Sequence, residues 1–238
     1  MNHAARAGLG LAGLVLATAA HAAAAEHLPA IKEMVGQLDR RAGLMTIYLD
    51  EQRGQVFLAV PAARDSDEGH VYLYVEGLAT GLGSNPVGLD RGQIGPARLV
   101  GIRRVGGRVL VEEKNLKFRA LSDNPAERRA VRQAFARSVL WGGEIIAEDP
   151  DGRVLVDFTS FVVRDAHHSA RTLEATGQGA FTLDKDRSAL DPEACLAFPD
   201  NVEFEALLTF QGKKPGAFVR ATVPESSSVT MIPRASAC

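Results

Sequence analysis

Short turns between β-type runs constrain this chain more than any other feature of its sequence. The clearest turn is Gly106-Gly107, which separates runs rich in branched residues at 98–105 and 108–113. Because glycine readily adopts the positive φ of tight turns, this two-residue connection predicts a hairpin. Two more hairpins are predicted around turn-type residues, 44–50 with 55–60 and 144–147 with 154–157. The chain is therefore expected to form mainly antiparallel β-structure.

The helices are predicted from capping residues and apolar spacing. Asn124 can cap a helix that has Pro125 at its first position and Glu127 three residues after the cap. This predicts an amphipathic helix over about 125–140, and a short helix is expected within 26–41. The apolar stripe of the longer helix would comprise Ala130, Val131, Ala134, Phe135 and Val139. Further strands are predicted at 71–75, 159–163, 204–210, 217–222 and 228–232. The predicted fold class is α+β, predominantly antiparallel β hairpins or sheet with one main amphipathic helix and a short N-terminal helix.

The N-terminus has the features of a secretory signal. Arg6 precedes an apolar run at 9–20, and Ala20-His21-Ala22 matches the small-residue pattern of a cleavage site. The signal peptide is predicted at 1–22, with Ala25 as an alternative last residue. The run is shorter than the roughly 20 strongly apolar residues of a membrane span, so an exported protein, periplasmic or extracellular, without a stable span is expected. The remaining chain is predicted to comprise a helical lead-in at 26–42, a β-rich domain at 43–232 and a tail at 233–238.

Charge and cysteine content limit the partners that the chain can be expected to bind. Its 27 Lys and Arg residues and 29 Asp and Glu residues give a formal net charge of −2. This balance gives no reason to expect nucleic acid or an anionic membrane as partner. Cys195 and Cys238 imply no disulfide framework. The basic residues Arg128, Arg129 and Arg132 predict a solvated helix face, with a docking surface for an acidic partner as the alternative.

Metal sites are not predicted in this chain. The six histidines do not form the His-Glu-x-x-His frame of common zinc hydrolases. His167 and His168 follow Asp165, but adjacent side chains on a strand point to opposite faces, which favours a surface loop or strand edge. A calcium-loop pattern begins at Asp184, but Ala189 replaces its glycine and Cys195 its final glutamate. An ion-pair cluster around Arg187 is predicted there instead.

Nucleotide and nucleophile sites are not predicted either. Gly81-Leu-Gly83 lacks the third glycine of a dinucleotide-binding loop, and the next residues do not start a helix. Ser84 and Ser188 have no histidine at a recognisable spacing. The stretch 77–93 is predicted to be an irregular, glycine-permitted connection with Asp90 and Arg91 as a local charge pair. We therefore assign no catalytic, cofactor-binding or metal-binding residues to this chain.

Several short motifs together indicate a family. They contain thirteen residues that we expect to have structural roles: Gly81, Gly83, Asn85, Asp90, Arg91, Gly92, Gln93, Asp157, Arg187, Ser188, Pro199, Asn201 and Glu203. In this order, over roughly residues 43–230, the motifs resemble the N-terminal region of large secreted bacterial zinc-dependent metalloproteases. In that family an uncharacterised β-rich domain precedes a metzincin-like catalytic domain. The resemblance implies that zinc is bound only in a catalytic domain that this chain lacks.

The resemblance leads to a functional hypothesis with alternatives. It implies a non-catalytic accessory or pro-domain-like region, with the zinc-protease catalytic domain as partner and a peptide or protein substrate as a further partner. The chain would then be a truncated or frame-shifted reading of a longer gene. The alternative is a stand-alone secreted β-rich binding or structural module, and a third reading is an independent hydrolase using Asp157, Asp165 and His167. Cys195 is expected to be a small buried residue, or else a thiolate that keeps the protease latent.

Overall fold

An extensive antiparallel sheet dominates the structure. The computed structural model describes residues 28–62 and 69–238. These residues form one 11-stranded sheet, curved into a half-barrel. The strands are β1 (Asp39–Arg41), β2 (Thr46–Asp50), β3 (Gln55–Val60), β4 (His70–Thr80), β5 (Arg98–Val105), β6 (Arg108–Glu113), β7 (Ser138–Glu148), β8 (Val154–Asp157), β9 (Ala180–Phe198), β10 (Asn201–Lys213) and β11 (Ser228–Ala237). The helices are α1 (Ile31–Val35), α2 (Pro125–Ala134), α3 (Thr159–Val162), α4 (Ser169–Ala175) and α5 (Ala217–Thr222).

Most neighbouring strands in the sheet are also neighbours in the chain. The order is β1-β2-β3-β8-β7-β6-β5-β4-β11-β10-β9, so only the β3–β8 and β4–β11 pairs join distant parts of the sequence. The three predicted hairpins are confirmed as β2–β3, β5–β6 and β7–β8. In the β5–β6 hairpin Val105 pairs with Arg108, and Gly106 has a φ of 57°. Gly106-Gly107 therefore forms the predicted turn.

The two ends of the sheet approach each other. The Leu44 amide, just before β2, donates to the carbonyl oxygen of Phe198 at the end of β9 (2.6 Å). Arg41 in β1 donates from Nη1 to the carbonyl oxygens of Pro192 and Cys195 in β9 (2.8 and 2.5 Å). These bonds hold the first and last strands together, and they explain how the sheet can enclose a core on one face.

The core lies on the enclosed face and takes side chains from strands all round the sheet. Ile47, Leu58, Val111 and Leu208 are examples of its buried residues, and Phe161 of α3 packs among them. Burying each such side chain contributes about 1.5–3 kcal/mol. A smaller cluster forms on the other side of β3, β7 and β8, where Ile31 and Val35 of α1 pack on Ala59, Ala147 and Leu155. Thus α1 covers part of the outer face.

The predicted α+β class is wrong. Helices make up only 16% of the described chain, and none of the described helices is a main amphipathic helix packed on the sheet. The predicted helix over 125–140 ends at Ala134, because Phe135 is extended and Ser138 begins β7. Its Asn124 cap is confirmed, since Asn124 Oδ1 accepts from the Ala126 amide (2.9 Å). No residue of α2 is buried in the described structure, so the predicted apolar stripe does not join the core.

Two predicted strands, 159–163 and 217–222, are helices α3 and α5. Their branched residues favour strands, but side-chain acceptors satisfy the amides of the first helical turns. Asp157 Oδ1 accepts from the Thr159 amide (2.9 Å), and Gln178 Oε1 accepts from the Phe218 and Val219 amides (3.0 and 3.3 Å). The acceptor for α3 therefore lies two residues before the helix, whereas the acceptor for α5 is distant in the sequence.

Some boundaries also differ from expectation. The short N-terminal helix is limited to α1, and residues 39–41 of its predicted range form β1. Residues 233–237, separated above as a tail, are the second half of β11 and pair with β4. The predicted signal peptide lies outside the described residues. Within the described ranges, no helix is long and apolar enough to cross a membrane.

Candidate functional site

A groove is formed where the chain leaves the sheet between β6 and β7. This segment, residues 114–137, includes α2 and stands beside the exposed side of β4 and β5. It encloses a volume of about 690 Å³, whose lining also includes Val71 of β4 and Leu99 of β5. We call this space the basic groove. Its size is in the range of about 300–1,000 Å³ that is usual for ligand sites.

Local hydrogen bonds give the segment its shape. The Lys114 amide donates to the Leu99 carbonyl oxygen (2.8 Å), which attaches the start of the segment to β5. Asn115 Oδ1 then accepts from the amides of Lys117 and Phe118 (3.1 and 3.0 Å), an Asx-type turn. Arg128 Nη1 donates to the Ser122 carbonyl oxygen (2.9 Å), which ties α2 to the chain before it. The groove wall is therefore preorganised by bonds within the segment.

The apolar part of the lining is unusually open to solvent. Val71, Leu116, Phe118 and Phe135 are 42%, 50%, 45% and 39% exposed. The Phe118 and Phe135 rings stack with their centroids 4.2 Å apart and an interplanar angle of 12°. Single exposed apolar residues are ordinary, but several along one groove indicate an interaction surface.

The groove is electropositive. Among its described lining residues, seven are lysine or arginine and two, Glu112 and Glu113, are acidic. Glu112 is held by Arg103, which donates from Nε and Nη2 (3.0 and 2.7 Å), and Arg137 lies 3.5 Å away. The hydrogen bond from Arg103 is the main reason that the pKa of Glu112 lies below its usual value. The cations of the groove therefore greatly outnumber its anions.

A buried polar cluster lies on the enclosed side of β4. Arg164 Nη2 donates to Tyr74 Oη (2.9 Å) and to Glu76 Oε1 (3.2 Å), and Arg98 Nη1 is 3.8 Å from the same oxygen. Burial raises the pKa of the Tyr74 phenol and lowers the pKa of the His167 imidazole. Tyr74 therefore stays protonated, and Glu76 is compensated by two guanidinium groups. This arrangement joins the loop before α4 to β4.

Residues 77–80 of the glycine-rich stretch belong to β4, and residues 81–93 form a loop that folds back on the end of this strand. The predicted irregular connection over 77–93 is therefore wrong for its first four residues. Leu82 and Leu89 are buried in the main core, and the Leu82 amide donates to the Leu89 carbonyl oxygen (2.7 Å). A Cβ at Gly81 would overlap that same oxygen, so glycine is required for this close approach. Gly83 and Gly92 have φ values of 89° and 77°, which other residues rarely adopt. The motif glycines thus shape a loop that contributes to the core.

The polar motif residues of this loop bond to one another. Asn85 Oδ1 accepts from the Val87 amide (3.0 Å), and the Asn85 amide donates to Asp90 Oδ1 (3.3 Å). The Asp90 amide donates to Gln93 Oε1 (3.3 Å). The predicted Asp90–Arg91 charge pair is wrong, because Asp90 serves these loop bonds while Arg91 is exposed, and the two form no ion pair among the described residues.

Arg187 and Ser188 lie in a bulge of β9. The pairing with β10 passes from Ala189–Leu207 to Asp184–Thr209, which leaves the intervening β9 residues outside the regular register. Arg187 Nε donates to Asp184 Oδ2 (2.8 Å), and this bond is the largest cause of the lowered pKa of Asp184. Ser188 Oγ donates to the Asp184 carbonyl oxygen (2.6 Å) and accepts from the Thr209 amide (3.0 Å). Of the predicted ion-pair cluster around Arg187, the structure shows one ion pair, with Asp184, and hydrogen bonds from Arg187 to the neutral side chains of Ser228 and Gln211.

The other motif residues stabilise turns and helix ends. Pro199 is exposed in the turn between β9 and β10. Next to it, Asn201 Nδ2 donates to Glu203 Oε1 (3.0 Å) and Asn201 Oδ1 accepts from Ser236 Oγ (2.8 Å). Asp157 caps α3, as described above. Seven of the thirteen motif residues therefore lie in the loop before β5, and the others lie in a bulge, at a turn and at a helix end, so the structure does not bring all thirteen together into one site.

The histidine and cysteine candidates also have structural surroundings. Asp165 accepts from the Ser169 and Ala170 amides (2.7 and 3.0 Å) and so caps α4, with His168 in the turn before it. No group of three or more potential metal ligands occurs within the part of the chain that the structure describes. Cys195 is completely buried, and burial raises its pKa to about 11. Because a metal-binding switch needs an accessible thiolate, this favours the buried structural alternative.

The sequence alone indicates only part of the groove. The basic face predicted for α2 does contribute to it, since Arg128 and Arg132 line the groove. The run from Lys114 to Arg119, in which basic residues surround Leu116 and Phe118, was not predicted as part of a site. The mixture of cationic and apolar residues in this run could have indicated a binding surface. The sequence near it gives no sign that α2 would lie on the other side of the groove.

Fold and groove together define a class of protein: a half-barrel β domain whose outer side bears a basic, partly apolar groove. The chain belongs to the family described as a domain of unknown function, DUF5117, whose model matches residues 92–237. The matched range contains β5 to β11 and the whole of segment 114–137. The chain matches no curated protein and no solved structure.

Proposed function

We propose that this chain is a non-catalytic accessory region of an exported zinc-dependent metalloprotease. The resemblance of its motifs, in order, to the N-terminal region of such proteases suggests the context. The main observation behind the proposal is that the motif residues have structural roles. Hydrogen bonds of four of them stabilise a loop, a helix end, a bulge and a turn: Asp90, Asp157, Arg187 and Asn201. Residues used in this way specify a scaffold for a separate catalytic domain, which would hold the zinc.

The DNA sequence tests whether this chain is part of a zinc-dependent metalloprotease. We expect a His-Glu-x-x-His motif in the DNA downstream of this coding region, in one of the three reading frames. A long protein that contains both this chain and that motif should bind zinc and cleave peptides, whereas this chain alone should do neither. The absence of the motif downstream would refute the proposal, and so would stoichiometric zinc with protease activity in this chain alone.

If the chain acts as a scaffold, the catalytic domain should depend on it, and this can be tested biochemically. The catalytic domain produced alone should refold poorly or lose activity, and adding this chain in trans should restore it. A matched chain with Leu89→Ala, which weakens the scaffold, serves as the control. Equal activity of the catalytic domain with and without this chain would contradict an accessory role. Export is tested separately by N-terminal sequencing of the secreted protein, which should begin after Ala22 or Ala25.

A stand-alone secreted binding module is the second candidate, and the basic groove favours it. A preformed groove with exposed aromatic side chains can serve a partner outside the protease context. A secreted protein whose mass corresponds to this chain, in cells with no longer product, would support this candidate over the first.

A further inference from the structure

We propose that the basic groove binds an extended peptide that carries acidic residues and an aromatic or branched apolar anchor. This inference goes beyond the accessory role, because it concerns this chain by itself and requires neither zinc nor a catalytic domain. It rests on the shape of the groove, its exposed apolar side chains and its charge.

The apolar side chains provide a place for an anchor. Phe118 and Phe135 present a stacked pair of rings at the groove, and Leu116 and Val71 add branched aliphatic surface. These residues are held by the sheet and by the Asn115 turn, so little ordering is needed on binding. A phenylalanine or leucine side chain placed there would cover apolar surface that is now exposed to water, which favours binding.

The charges provide the preference for acidic residues. Seven basic residues line the groove against two glutamates, although the chain as a whole has a net charge of −2. One of the seven, Arg98, also lies 3.8 Å from Glu76 of the buried cluster, so the other six supply most of the groove's positive charge. The positive charge is therefore local to this surface. Glu112 is already engaged by Arg103 and approached by Arg137, so it offsets little of the remaining field. Lysine and arginine pair well with carboxylates, and arginine can do so with two parallel hydrogen bonds.

A polypeptide suits the groove better than a nucleic acid does. Cations and stacked rings could also hold single-stranded nucleic acid, but the negative chain outside the groove would repel a polyanion that extends beyond it. Val71 and Leu116 offer aliphatic contacts, which match amino-acid side chains and add little to base stacking. A short acidic peptide satisfies both the local charge and the apolar surface.

Fluorescence anisotropy with labelled probes tests the proposal. The main probe is a short peptide that alternates glutamate with phenylalanine and leucine. The comparison probes replace its glutamates with glutamine or lysine, and a single-stranded oligodeoxynucleotide is measured in parallel. We expect the glutamate peptide to bind most tightly, at least about tenfold above the glutamine peptide, with affinity that falls as salt rises.

Variants locate the binding site. The double change Lys117→Glu with Arg119→Glu, and separately Phe118→Ala, should each weaken the glutamate peptide by about tenfold or more. Arg129→Glu is the matched control, because Arg129 is an exposed cation on α2 that does not line the groove among the described residues. It should change the affinity less than about twofold. Urea midpoints of all variants establish that the fold is retained.

Four results would overturn the inference. These are no saturable binding of the glutamate peptide at low salt, equal binding of all three peptides, tighter binding of the oligonucleotide, or equal loss of affinity in Arg129→Glu and the groove variants. The three-peptide comparison uses the unaltered chain, so it decides the matter even if a variant fails to fold. Peptide binding without a downstream protease motif would refute the accessory role and leave this inference intact.

Discussion

Replacing Glu112 with glutamine should reveal how much the groove wall depends on one ion pair. The Glu112 side chain is only 7% exposed, and Arg103 binds both of its oxygens (2.7 and 3.0 Å). Hydrogen bonds to charged groups contribute about 1.5–3 kcal/mol, and glutamine keeps one acceptor for the guanidinium. We therefore expect Glu112→Gln to lower the free energy of unfolding by about 2 kcal/mol at pH 7, or about 4–8 °C in Tm.

The pH dependence of this loss has a definite sign. The Arg103 hydrogen bond holds the pKa of Glu112 below its unfolded value, so the native state binds its proton later than the unfolded state does. The stabilisation is therefore complete above the unfolded glutamate pKa of about 4.3 and is lost as the pH falls through the lower, folded pKa. Urea unfolding at several pH values should show the unaltered chain and Glu112→Gln converging in acid.

Glu144→Gln is the matched control for this prediction. Glu144 also faces an arginine across neighbouring strands, since Arg108 Nη1 lies 3.4 Å from it, but the Glu144 side chain is 79% exposed. An exposed pair of this kind contributes about 0.5 kcal/mol or less. If both variants lower the free energy of unfolding equally at pH 7, burial is not the reason for the effect of Glu112→Gln. If Glu112→Gln lowers it by the same amount in acid as at pH 7, the ionised carboxylate of Glu112 is not the source of the stabilisation.

Three further predictions concern the core, the cysteines and the folding unit. Leu89→Ala empties a fully buried position in loop 81–93 and should lower the free energy of unfolding in urea by about 2–5 kcal/mol, whereas Arg91→Ala, at an exposed position, should change it by less than about 0.5 kcal/mol. Equal effects of the two changes would contradict the loop's role in the core. Native protein should react with a thiol reagent at exposed Cys238 and not at Cys195, and both should react in urea; rapid native labelling of Cys195 would contradict its burial and raised pKa. A fragment of residues 92–237 should aggregate in size-exclusion chromatography, and a monomeric, cooperatively unfolding fragment would contradict this.

The hairpins could be predicted because the residues that determine them lie close together in the sequence. Gly106-Gly107 sets the turn and the flanking runs set the pairing, so both halves of the β5–β6 hairpin are visible in one short window. The same holds for the Asn124 cap of α2, whose acceptor and donor are two residues apart. Cys195 was correctly expected to be buried from its residue type alone.

The errors arise where the deciding contact is distant in sequence. The amides of α5 are satisfied by Gln178, which lies forty residues earlier, so branched residues that suit a strand form a helix. The opposite error occurs at α2, where apolar spacing predicts a core helix. The chain from Ser138 onward pairs with β6 instead, which ends the helix early and leaves Phe135 beside Phe118 at the groove. Neither the contact of Gln178 with α5 nor the pairing of β7 with β6 can be recognised from the residues next to these helices.

The folding unit must be larger than the range that defines the family. Within 92–237, β8 has β7 on one side, but its other neighbour, β3, lies outside the matched range, and the same is true of β11 and its neighbour β4. Removing β3 and β4 would expose three rows of backbone hydrogen-bonding groups, on β8, β5 and β11, which favours association with other chains. It would also remove Leu58 and Tyr74 from the core. The strands before the match therefore complete the half-barrel, and β4 with its Val71 completes one wall of the basic groove that the matched segment builds.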